Sequence, residues 1–132
     1  MTPLKTIAII DDDEIYVYLT KRTIERANIA DEIKAFGNGN EAINFFKENI
    51  THPEILPEII LLDLSMPIMD GWQFLEEFIP LNVRIGKKII IYIVSSSISP
   101  EDMIRAAKID AVTDFIIKPI TKDQLVEIVK NI

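Results

Sequence analysis

The chain has 132 residues, 48% hydrophobic and 27% charged, the balance of a folded globular domain rather than a disordered chain. Cys is absent, which excludes disulfide frameworks and thiolate zinc sites, and a single histidine, His52, argues against a histidine-rich metal cage and a nucleophile–histidine dyad. Lys and Arg number 14 against 21 Asp and Glu, a net charge of −7 that repels phosphate backbones and argues against nucleic-acid binding.

A chain of this length buries roughly two thirds of its unfolded surface, so a single domain over residues 1–132 is expected. No stretch approaches the roughly 18 apolar residues of a membrane span. The N-terminus reaches three aspartates too soon for a signal peptide, which predicts a cytoplasmic location with no membrane contact. Asn49-Ile50-Thr51 fits a glycosylation acceptor, but that match has no use without secretion.

Short β-type runs alternate with helical patterns from end to end. Residues 6–10 form the first run, followed by a less regular helical stretch over 13–27 with Ile15, Leu19 and Thr23 on one side. Residues 32–36 alternate in polarity and read as an edge strand. A stripe of Ala42, Phe45, Phe46 and Asn49 or Ile50 marks the second helix, and a connection over 49–58 carries Pro53 and Pro57. The apolar run 59–62 leads to a third helical stripe of Gly71, Phe74, Leu75, Phe78 and Ile79, then a surface loop over 80–87. Residues 89–94 make the fourth run. Ser99-Pro100-Glu101-Asp102 then offers an N-cap with proline in the first helical turn. The last run, 115–117, precedes the capping box Thr121-Lys122-Asp123-Gln124 and a stripe of Leu125, Ile128, Val129 and Ile132. Four of the five runs are almost continuously apolar, as in strands covered on both faces. Five β-α units in series predict an α/β fold, with a parallel sheet between two layers of helices.

In such a sheet, ligands bind beyond the carboxyl ends of the strands. Asp11, Asp12 and Asp63 follow strands one and three, which are neighbours in the common strand orders, so their carboxylates should converge. Like charges in one place need a cation. Hard oxygen donors with room for water suit Mg²⁺, and Lys118 after strand five adds a second positive charge. Ser95, Ser96 and Ser97 follow strand four, with Ser95 directly at its end and Ser96 the competing hydroxyl. The space between Mg²⁺, Lys118 and Ser95 suits a phosphoryl group, and Asp63 suits its acceptor. Asp13 is the one aspartate expected merely to cap the first helix.

Taken together, Ile10-Asp11-Asp12-Asp13, Leu62-Asp63-Leu64-Ser65-Met66-Pro67-Ile68-Met69-Asp70-Gly71, Val94-Ser95-Ser96 and Phe115-Ile116-Ile117-Lys118-Pro119 resemble the receiver domain of bacterial two-component response regulators. Asn38-Gly39-Asn40-Glu41-Ala42 is also similar to the start of that family's second helix. The resemblance spans essentially the whole chain. It implies a flavodoxin-like (βα)5 fold with strand order 2-1-3-4-5, and a stand-alone phospho-accepting switch of the chemotaxis-regulator type. Asp63 would become 4-aspartylphosphate, fed by a sensor histidine kinase or a histidine phosphotransfer protein. Asp12 and Asp63 would hold Mg²⁺ by side chains, Ser65 by its carbonyl and Asp11 through water. Ser95 and Lys118 would engage the phosphoryl group, Phe115 would be the aromatic switch, and the bond to Pro119 would be cis. No further cofactor is implied. A downstream protein would bind the surface formed by residues 99–109 and 115–132. Such a chain is a signalling domain that slowly loses its own phosphate, not a metabolic enzyme.

Two departures stand out. The usual Gly-Ala before strand five reads Asp110-Ala111-Val112-Thr113-Asp114, and Trp72 follows Asp70-Gly71, where it reads as helix packing. Two rival readings are weaker. A Mg²⁺-dependent phosphohydrolase of the haloacid-dehalogenase type needs an aspartate at position 65, which is Ser, and a substrate-covering element. A phosphorylation-independent interaction module would have lost an acid, the acceptor or the lysine, and all are present.

Overall fold

The computed structural model describes residues 4–66 and 68–130. Pro67 of the loop motif and Ile132 of the last helical stripe lie outside them. The elements are β1 (Leu4–Ile10), α1 (Glu14–Ala27), β2 (Ala30–Phe36), α2 (Gly39–Glu48), a 3-10 turn at Pro53–Ile55, β3 (Ile59–Leu62), α3 (Gly71–Ile85), β4 (Ile90–Ser95), α4 (Pro100–Ala107), β5 (Val112–Ile117) and α5 (Lys122–Lys130). All strand pairs are parallel, in the order β2-β1-β3-β4-β5.

The central strands are apolar on both sides because each side meets a different layer. Ala8, Ile10, Ile60, Leu62 and Ile91 face the layer of α2 and α3, where Phe46, Phe74 and Phe78 are fully buried. Ile7, Ile9, Ile59, Leu61 and Val94 face α1 and α5. A period of two thus sorts neighbouring residues into two cores. On the first side the rings of Phe46 and Phe78 meet edge-on at 4.9 Å, and those of Phe74 and Phe78 stack at 5.3 Å.

Helix starts obey their local signals. Asp13 caps α1 by accepting from the Tyr16 amide, Ser99 and Asp102 form a capping box at α4, and Thr121 and Gln124 form another at α5. Elsewhere the structure departs from expectation. The inward side of α1 carries Tyr16, Thr20 and Ile24, whereas Ile15 is 75% and Leu19 56% exposed. Hydrophobic residues occur on several sides of this helix, so its own periodicity did not define the buried one. The loop expected over 80–87 is mostly helix. α3 runs through Pro80 to Ile85 because Leu81 and Ile85 continue its buried stripe, and Gly86 ends it at φ 71°. Pro80 is exposed and donates no amide hydrogen bond, and Ile79, expected inward, is partly exposed. β5 begins at Val112, earlier than the apolar run 115–117, and it is an edge strand with exposed Thr113, Asp114 and Ile117.

The connection over 49–58 is held by one ammonium. Lys87 Nζ donates to the carbonyls of Pro53 (2.9 Å) and Leu56 (2.7 Å) and to Glu58 Oε2 (2.8 Å). The other carboxylate oxygen of Glu58 accepts from the Thr6 amide at 3.0 Å, tying the connection to β1. Replacing Lys87 removes the donor of two half-buried backbone carbonyls and the ammonium beside the Glu58 carboxylate. Lys87→Met is expected to lower unfolding free energy by about 2–4 kcal/mol in urea titrations, with an unchanged m-value.

Candidate functional site

Each site residue sits where the ladder of the sheet ends. The Asp63 amide donates to Ile10 O at 2.9 Å, so the residue after β3 lies beside the residue after β1. Across the sheet, the Lys118 amide donates to Ser95 O at 2.9 Å, which sets the end of β5 against the end of β4. The Lys118–Pro119 bond is cis.

Asp11, Asp12 and Asp63 each place a carboxylate oxygen within 4.8 Å of the others. Asp11 and Asp63 are buried and Asp12 is exposed. Both oxygens of Asp11 are engaged, Oδ1 by the Asp13 amide at 2.9 Å and Oδ2 by Lys118 Nζ at 2.8 Å. Lys118 stands farther from Asp63, at 3.6 Å from Oδ1. The Lys118 ammonium therefore pairs with two of the three acids. The excess negative charge on hard oxygen donors fits a divalent cation, with Asp12 and Asp63 better placed than Asp11 to bind it directly.

The charge balance is visible in the titration of the group. Burial pushes the Asp63 carboxyl up to about 6, repulsion from Asp11 adds to this, and the attraction of Lys118 opposes it. Burial alone would lower the pKa of Lys118. The hydrogen bond and charge of Asp11, with that of Asp63, outweigh burial and hold the ammonium above the usual lysine value.

Ser95, the last residue of β4, is buried, and Ser96 is exposed. Ser95 Oγ donates to Ser97 O at 3.1 Å and accepts from the Ser97 amide at 3.4 Å, so in this state its hydroxyl is engaged by its own loop. Ser65 is exposed and, with Asp12, Ser95 and Ser97, lines an open groove of about 570 Å³ that Met66, Trp72 and Asp102 also border. Phe115 is half-buried against Leu64, Ile93 and Ala106, and borders a cavity of about 150 Å³ between α4 and β5.

Three features escaped the sequence reading. Gly71 touches the acceptor strand so closely that a Cβ would lie 2.6 Å from Asp63 O and 2.9 Å from Leu64 Cα. The Arg105 guanidinium of α4 lies 4.4 Å from the centre of the Trp72 ring, which does pack on α3 as expected. The Tyr16 ring lies 4.3 Å from Lys118 Nζ. The Asp-Gly pair itself was a signal for the first. The other two join residues far apart in the chain and have no local signature.

Two outcomes follow from this geometry. Gly71→Ala forces the start of α3 away from the strand end that carries Asp63, and urea unfolding should show a loss of about 1–3 kcal/mol. The raised pKa of Asp63 means that the folded state holds this proton more tightly than the unfolded chain. Its contribution to stability is therefore complete below about pH 4 and is lost as pH rises through about 6. In EDTA, Asp63→Asn should gain on wild type across that window, by up to roughly 3 kcal/mol at pH 7.5. A constant difference between pH 4 and 7.5 would contradict this.

Comparison with known proteins places the chain in a family. A family model described as "Response regulator receiver domain" matches residues 7–130. The structure of a two-component response regulator from Cytophaga hutchinsonii superposes with a TM-score of 0.88 at 30% identity, covering 98% of this chain and 99% of that one. The chemotaxis protein CheY of Thermotoga maritima is 28% identical over 130 residues, 97% of each chain. The probable methanogenesis regulatory protein FilR2 of Methanothrix harundinacea is 27% identical over 126 residues, 96% of this chain and 79% of that protein. This chain belongs to the response regulator receiver domain family.

Proposed function

We propose that residues 1–132 act as one receiver domain, a signalling switch in which Asp63 accepts a phosphoryl group. The observation that carries this reading is the buried Asp63 carboxylate, set between two further acids and the Lys118 ammonium at the carboxyl edge of the sheet. A carboxylate oxygen of Asp63 attacks phosphorus, and the bond from phosphorus to the donor breaks with its electron pair leaving on the donor. With a phosphohistidine donor that is protonated on its other ring nitrogen, the departing imidazole is a neutral ring. With acetyl phosphate the leaving group is acetate.

The residues act by position and charge. Asp12 and Asp63 would hold Mg²⁺ by their carboxylates and Ser65 by its carbonyl, with Asp11 reaching it through water. Bound there, the ion would neutralise charge on the phosphoryl oxygens. Lys118 pairs with another phosphoryl oxygen. Ser95 gives up its bond to Ser97 O and donates to the phosphoryl group instead, and Phe115 responds by turning inward. Exposed Met103, Ile104 and Ile117 lie on the surface this would alter, where a downstream protein binds. The donor is a sensor histidine kinase or a histidine phosphotransfer protein, and the protein works in the cytoplasm. Among the described residues no helix is long and apolar enough to cross a membrane. The protein is a switch, not a metabolic enzyme, and loses its own phosphate slowly.

Intact mass after incubation with acetyl phosphate and Mg²⁺ tests the proposal. Wild type should gain one phosphoryl group, whereas Asp63→Asn and an EDTA control should gain none. Wild type that neither gains mass nor binds beryllofluoride would overturn it.

A further inference from the structure

The two acids are not the only groups that confine the Lys118 ammonium. An ammonium has three donors, and here Asp11 Oδ2 at 2.8 Å and Asp63 Oδ1 at 3.6 Å take two directions. The ring of Tyr16, centred 4.3 Å from Nζ, covers a third side. The face of an aromatic ring carries partial negative charge and attracts a cation without competing for its proton.

The ring itself is well anchored. It comes from the first turn of α1, immediately after the aspartates, and packs on the core beneath α1 and α5 that contains Ile24, Ile116 and Ile120. Its hydroxyl accepts a long hydrogen bond, 3.5 Å, from the Ile120 amide, and Thr20, one turn further along the same helix, is buried. Tyr16 is thus fixed both to its own helix and to the segment just after Lys118-Pro119.

We propose that Tyr16 is a positioning residue for phosphoryl transfer, its ring keeping the Lys118 ammonium beside Asp63. This rests on the function proposed above. The carboxylates hold Lys118 by charge, and that hold weakens once a divalent cation binds to the same acids. The ring is neutral and keeps its hold in either state. The ring, not the hydroxyl, performs this role.

The test compares wild type, Tyr16→Phe, Tyr16→Leu and Tyr16→Met for their rate of phosphorylation by acetyl phosphate with Mg²⁺, using variants whose urea midpoints show them folded. Tyr16→Leu and Tyr16→Met should be slower by about three- to tenfold, and Tyr16→Phe should stay within about twofold of wild type. Lys118 ε-methylene protons, read by NMR, should be shifted upfield by the ring in wild type and Tyr16→Phe. They should return to the ordinary lysine position in Tyr16→Leu. Equal losses in Tyr16→Phe and Tyr16→Leu, or an ordinary Lys118 shift in wild type, would overturn the proposal. Wild type that accepts no phosphoryl group would instead overturn the reading of the function, and the Lys118 shift would still decide whether the ring holds the ammonium.

Discussion

Three carboxylates within 4.8 Å of one another, two of them paired with the Lys118 ammonium, are the constraint on which the rest of this molecule depends. Like charges this close, two of them buried, repel in a medium that screens poorly. The fold holds them together by fixing their backbones. Asp63 is bonded through its amide to the end of β1, and Asp11 is bonded through its own amide to Phe36 O at the end of β2. The central strands that support this edge are buried on both faces, so they cannot shift register without exposing a core. The unfavourable charge arrangement is thus sustained by apolar packing far from it.

The same constraint explains why the site is unevenly balanced. Burial and the charge of Asp11 hold the Asp63 pKa up, and Lys118, closer to Asp11 than to Asp63, offsets this only in part. Asp63 is left with unused affinity for positive charge, which suits the cation and phosphoryl group proposed for it. Gly71 shows how tightly the geometry is drawn. Its lack of a side chain lets α3 begin against the carbonyl of Asp63, so the helix start and the acceptor share one position.

Where sequence reading succeeded, the signals were local. Asp11, Asp63, Ser95 and Lys118 each follow an apolar run directly, with Asp12 one residue further, and a parallel sheet brings such strand ends to one edge. Asp13, Ser99 and Thr121 were legible as caps because a cap is an interaction over three residues. The reading failed where a helix did not announce its buried side. Ile15 and Leu19 of α1 point outward while Tyr16 and Thr20 point inward, and α3 continues through Pro80 because Leu81 and Ile85 have a core to enter. In both cases the deciding contact is with another element.

The sequence by itself determined the order of strands and helices, the acids and the lysine at the strand ends, and the family. These follow from periodicity, capping and short motifs, all properties of neighbouring residues. Only the tertiary structure decided that Asp11 rather than Asp63 is the closer partner of Lys118. It alone brought Tyr16 over that ammonium and Arg105 over Trp72, and turned the Ser95 hydroxyl toward Ser97. Except for the turn at Ser95, these are contacts between residues distant in the chain. Their distances are set by how the layers pack, a property that no single segment carries.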